Sequence, residues 1–179
     1  MSPASNLLLA PEKRLVSMAL LVALGVILHR VEALLPLPTP WIKLGLANIM
    51  TLLALVYLGF RDALLVTGLR IVLGSLIGGT FLGPTFFLSL GGGIAAILVM
   101  APVYRRGAGP FSLAGVSIAG AYAHILTVVF CVYFLFIPQE GFLRLLPFFL
   151  SLALVSGLLT GIAANILTTR LAQEGVTFR

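Results

Sequence analysis

An all-α fold is predicted, a bundle of six membrane-crossing helices with both termini on the cytoplasmic side, and three observations predict it. The residues AVILMFWYC make up 60% of 179 positions and only 9% are charged, giving a mean hydropathy of +1.18, far above what a water-facing surface can carry. The apolar residues fall into six long runs, each near the roughly 20 residues that a spanning helix needs. Lys13, Arg14, Arg61, Arg105, Arg106, Arg170 and Arg179 lie on one side of those runs, against Arg30, Lys43 and Arg144 on the other, which sets the basic-rich side and both termini inside. The net charge of +6 is therefore topological and gives no reason to expect nucleic acid.

The first run, Leu15 to Leu35, follows Glu12, Lys13 and Arg14. It is too long for a signal peptide and lacks a small-residue cleavage site, so it is an expected anchor. Pro36, Pro38 and Pro40 make the next connection stiff and extended, because each fixes its own φ and turns the preceding residue away from helix. Such a segment can lie across the bundle mouth. The remaining runs are Leu44 to Phe60, Ala63 to Leu82, Thr85 to Tyr104, Leu113 to Ile137 and Phe142 to Thr169. With short connections they fill one integral membrane domain, residues 1–179, and leave no room for an extramembrane domain.

Small residues recur four apart: Ala19 and Ala23, Gly74 and Gly78, Gly91 and Ala95, Gly157 and Gly161. In lipid, where no hydrophobic drive acts between helices, such pairs allow the close backbone packing that holds them together. Asn165, eight residues beyond Gly157, is expected to face a neighbouring helix. The alanine pair on the first run is the one suited to an external partner.

Arg70 stands inside the third run, where a buried cation costs about 2.5–3.5 kcal/mol and usually marks function. It either meets an anion, bonds backbone carbonyls or snorkels to the headgroups. Of five carboxylates, Glu12, Asp62, Glu140 and Glu174 fall at or beyond the membrane ends, so only Glu32 is placed to reach inward. His29, Arg30, Glu32, Trp41, Lys43 and Asn48 cluster at the predicted outer mouth. Their excess of cations suits a carboxylate, phosphate or diphosphate, although Trp41 and Lys43 also fit ordinary interfacial anchoring. His124, near the middle of the fifth run, is open to three roles: ligand contact, proton relay or interhelical hydrogen bond. Phe86 and Phe87 either line a pocket or face lipid.

Absences narrow the function. No phosphate-binding G-x-x-x-x-G-K-[ST] loop occurs, so energy from ATP would need a partner. Asp62 is the only aspartate, which leaves no paired-aspartate site for the magnesium ions of prenyl diphosphate condensation. The single cysteine, Cys131, and two separated histidines argue against a disulfide framework and against zinc, haem or iron-sulfur centres. No catalytic residue, metal or cofactor is expected.

From Trp41 to Arg106, with Lys43-Leu44-Gly45-Leu46-Ala47-Asn48, the Gly74 to Gly79 stretch and Gly91-Gly92-Gly93 as its most specific pieces, the chain closely resembles the Gx transporter family, also called heptaprenyl diphosphate synthase component I. That family in turn resembles the S components of energy-coupling factor (ECF) vitamin transporters. The resemblance implies six helices, both termini inside, and a pocket toward the outer face. It also implies that an alanine pair on the first helix touches a transmembrane coupling subunit that works with ATPases, and Ala19 and Ala23 match such a pair. The expectation is a bacterial inner-membrane protein, surrounded by lipid, that captures a small anionic solute of vitamin-like, isoprenoid or flavin-related kind. Arg30, Lys43, Asn48, Arg70 and His124 are the candidate contacts. The alternatives are a noncatalytic membrane subunit supporting polyprenyl diphosphate or quinone supply, and a scaffold for a flavin-based electron-transfer system of the envelope.

Overall fold

A computed structural model describes residues 11–34, 45–106 and 112–174. All regular structure in these residues is helical: α1 (Pro11–Ala33), α2 (Asn48–Tyr57), α3 (Phe60–Ile77), α4 (Pro84–Arg106), α5 (Leu113–Leu135), a single turn α6 (Glu140–Leu143) and α7 (Leu146–Gln173). Each of the six apolar runs forms a helix, but they are not equal in length. Among the described residues α1, α4, α5 and the stretch Glu140–Gln173 are long and apolar enough to cross a membrane. The other two depart from expectation for separate reasons. α3 has 18 residues but carries Arg61, Asp62 and Arg70. α2 has only 10, about 15 Å of helix against a hydrocarbon core of about 30 Å.

α2 is short because it begins and ends at glycines in backbone conformations that other residues rarely adopt. Gly45, three residues before it, has φ +77°, and Gly59, between it and α3, has φ +92°. Its seven residues Ile49 to Leu55 are all buried, as befits a helix that is apolar on every side. It packs on α1, α3 and α7, while α3 packs on α4, α4 on α5 and α5 on α7. The long helices thus surround α2. The main core joins Val22 and Val26 of α1, Leu52 to Leu55 of α2, Val66 of α3, Ile97 and Met100 of α4, Val116 of α5 and Ala164 of α7.

The close approaches fall at glycines. A Cβ on Gly157 or Gly161 would run into the α5 backbone at Ile118 and Ala114, so this pair packs α7 on α5 as expected. Gly74 and Gly78 meet side chains of α1. In α4 the tight positions are Gly92 and Gly93, while Gly91 has only an ordinary contact with Thr127 at 3.7 Å; three consecutive glycines do not reveal which one faces inward. Asn165 is exposed and the buried residue of that face is Ala164. At 3.6 residues per turn, position i+7 returns to the face of Gly157 and i+8 overshoots it. Phe86 is buried and Phe87 exposed, so Phe87 is the ring that faces outward.

Candidate functional site

Two helices meet at Arg70. Asn48 and Thr51 are three residues apart on α2, and Thr67 and Arg70 three apart on α3, so each pair shares a helix face. Arg70 Nη2 donates to Asn48 Oδ1 at 2.6 Å and Nε donates to Thr51 Oγ1 at 3.3 Å. Thr51 and Thr67 share a hydrogen bond of 3.0 Å, and Thr67 Oγ1 donates to the Ala63 carbonyl at 2.7 Å. Because the Thr67 proton is committed to that carbonyl, Thr51 must donate to Thr67 while accepting from Arg70. The result is a one-way chain from guanidinium to backbone carbonyl. Arg70 is 5% exposed, and among the described residues its hydrogen bonds go to side-chain oxygens.

Glu32, 3% exposed, reaches inward as expected. Its carboxylate accepts the Gly45 N–H and acts electrostatically on Arg70. This bond ties the last turn of α1 to the chain entering α2, and the left-handed backbone at Gly45 makes the approach possible.

Glu32, Gly45, Asn48 and Arg70 border a cavity of about 50 Å³ lined also by His29, Ile71, Ser89, His124, Ile125 and Ser156. Such a space suits a few waters or a compact group. Glycines set back its walls: a Cβ on Gly25 would come within 3.1 Å of Arg70 Cδ, one on Gly74 within 3.0 Å of His29 Cδ2, and one on Gly92 within 2.7 Å of His124 Cδ2. Each of these three polar side chains lies against a neighbouring helix where that helix has no side chain.

Of the candidate contacts, the fold brings Asn48, Arg70 and His124 together at the cavity. Arg30 stands apart from them: its guanidinium packs on Gly78 at the end of α3, and it is not among the described residues of the lining. His29 and Glu32, three apart, share the inward face of α1, whereas Arg30 is turned about 100° from His29. Lys43, Trp41 and the three prolines lie outside the described residues. Sequence reasoning missed Thr51, Thr67, Ser89 and Ser156; for the threonines the signal was their three-residue spacing from Asn48 and Arg70.

Asp62 stands at a helix end, as expected, yet within the packed structure. It is 2% exposed, and Arg14 grips it through both Nε, at 2.7 Å, and Nη2. This fork joins the first turns of α1 and α3, at the end of the bundle away from the cavity. Between the two ends, Ala19 and Ala23 are exposed on α1 beside Leu15, Val16, Leu20 and Ile27.

A family model for heptaprenyl diphosphate synthase component I matches residues 21–167. The chain belongs to that family. The matched stretch of this heptaprenyl diphosphate synthase component I family member contains every residue that borders the cavity, and it begins two residues after Ala19. The fold is similar to that of the S component of a bacterial ECF transporter, with a TM-score of 0.74 and 20% sequence identity over 92% of this chain and 98% of that one. The helical, S-component-like architecture expected from the sequence is the one observed. No curated protein matches the chain.

Proposed function

We propose that this chain is a solute-binding membrane protein of the S-component kind, located in the bacterial inner membrane, which takes a small solute with an anionic group into the cavity at Arg70. The observation that carries the reading is a buried guanidinium at a cavity wall, braced by Asn48 and Thr51. Those two bonds use two of its five N–H donors, and a planar fork with donors to spare is the group best matched to an anion. A membrane helix retains such a costly residue where function requires it. Asn48 and His124 complete the polar wall. The exposed Ala19 and Ala23 face supports docking to a transmembrane coupling subunit with ATPases, which would supply the energy that this sequence has no phosphate-binding loop to provide.

The test is native mass spectrometry of gently purified protein. Wild type is expected to retain a small molecule and Arg70→Gln to lose it, because the neutral amide removes the charge while keeping a polar side chain. Equal retention by both forms would remove Arg70 as the anchor.

The family's description favours a second reading, a noncatalytic membrane subunit that serves a polyprenyl diphosphate synthase. The only aspartate of the sequence is engaged by Arg14, so the paired aspartates of such a synthase would have to come from a partner. An empty chain that co-purifies with a soluble synthase would favour this reading.

A further inference from the structure

Behind two side chains of the cavity wall stands the run Gly91-Gly92-Gly93 of α4. Glycine inside a helix forgoes propensity, so three in a row call for a spatial reason. Successive residues of a helix are turned by about 100°, and the two buried glycines, Gly92 and Gly93, accordingly face different neighbours. A Cβ on Gly93 would meet Ile71 Cδ1 of α3 at 2.8 Å and Thr67 Cγ2 at 3.1 Å. One on Gly92 would meet the His124 ring of α5, with Cδ2 at 2.7 Å, Nε2 at 2.8 Å and Cγ at 3.0 Å. Three ring atoms at nearly equal distance mean that the imidazole lies over Gly92 with its face instead of touching it with one edge. Ile71 and His124 both line the cavity, as does Ser89, which is three residues before Gly92 and so on the same face of α4.

A methyl at position 92 would take the space against which the ring now rests, and what it strikes decides the consequence. At Gly161 the obstacle is the α5 backbone, which moves only if two helices part. At Gly92 it is the far end of a rotatable side chain, which swings aside while the helices stay in place. Wherever else the imidazole bonds, it cannot keep its place over α4 once that methyl is present. On the solute-binding reading above, in which His124 is a contact, we infer that Gly92 is a positioning residue for solute capture. The side chain it lacks lets His124 lie across α4, and this fixes where the imidazole stands at the cavity wall. A ring held in one place is preorganised, so the solute does not have to order it on binding. Displacing it weakens binding and leaves the fold nearly untouched, the more so because alanine favours the helix.

The experiment compares the untagged full chain with Gly91→Ala, Gly92→Ala, His124→Ala and the double variant Gly92→Ala/His124→Ala. Three quantities are read: melting temperature in detergent, retention of the co-purified small molecule in native mass spectrometry, and the imidazole resonances by NMR. His29 and His124 are the only histidines, so His124→Ala assigns both ring signals. In Gly92→Ala the His124 signal should shift while that of His29 stays. Retention should fall about fivefold, the loss of one hydrogen bond, and the melting temperature should move by no more than about 4 °C. Gly91→Ala, whose methyl would meet Thr127 Cγ2 at an ordinary 3.7 Å, should match wild type in all three. Once the ring is gone, Gly92→Ala should cost no further retention, since both substitutions act through one side chain. An unmoved His124 signal or wild-type retention in Gly92→Ala, wild-type retention in His124→Ala, a further loss in the double variant, or an equal loss in Gly91→Ala each overturns the inference and leaves solute binding standing. A Gly92→Ala protein that melts far below wild type or does not fold does the same, because Gly92 then serves the packing of α4 on α5. An empty wild-type chain overturns both.

Discussion

Thr51 receives a hydrogen bond from Arg70 and gives one to Thr67, so both faces of one hydroxyl are in use. Thr51→Val would keep the shape of the side chain and remove both bonds, at a cost of about 1–3 kcal/mol for the buried groups left unmatched. The expected outcome is a lower melting temperature in detergent together with weaker solute retention. A variant that melts and binds like wild type would remove Thr51 from the support of Arg70. Arg70 and Asn48 stand out in the sequence because charge and amide are rare inside apolar runs. The threonines do not, because hydroxyls are common there and bond their own helix, as Ser89 and Thr127 do. The position of Arg30 was not legible for the opposite reason: nearness along the chain to Glu32 says nothing about which way a helix turns it.

Two glycine substitutions separate packing from propensity among the helices. Gly161→Ala places a methyl against the α5 backbone at Ala114, so α5 and α7 must part, at about 1–3 kcal/mol as for other overpacked sites. Gly68, inside α3, has nothing within 4 Å of a built Cβ, and Gly68→Ala should be neutral or stabilise by up to about 1 kcal/mol through helix propensity. Melting temperatures of the pair check both, and equal shifts would deny that the α5–α7 contact is tight. The four-residue spacing of Gly157 and Gly161 was enough to find that seam. The limits of α2 were not legible, because the apolar run continues through Gly45 and Gly59 and hydropathy is blind to the sign of φ.

For the whole molecule, the fold was readable because hydropathy sums over many residues, so single misplacements average out. The site was only half readable, since it depends on six helices presenting particular faces at once. One further prediction belongs to this scale. Ala19 and Ala23 lie on the outside of α1, so replacing both by Leu should leave melting temperature and solute retention as in wild type while abolishing co-purification with a coupling subunit. Retained co-purification would move the docking surface elsewhere.

The hydroxyl chain running from Arg70 through Thr51 and Thr67 ends on the Ala63 carbonyl. A carbonyl oxygen accepts a proton's bond but has no proton of its own to hand on. Polar as it is, the α2–α3 seam is therefore a blind alley for proton hopping, and ion leakage from the cavity toward the Arg14–Asp62 end has no wire to follow along it.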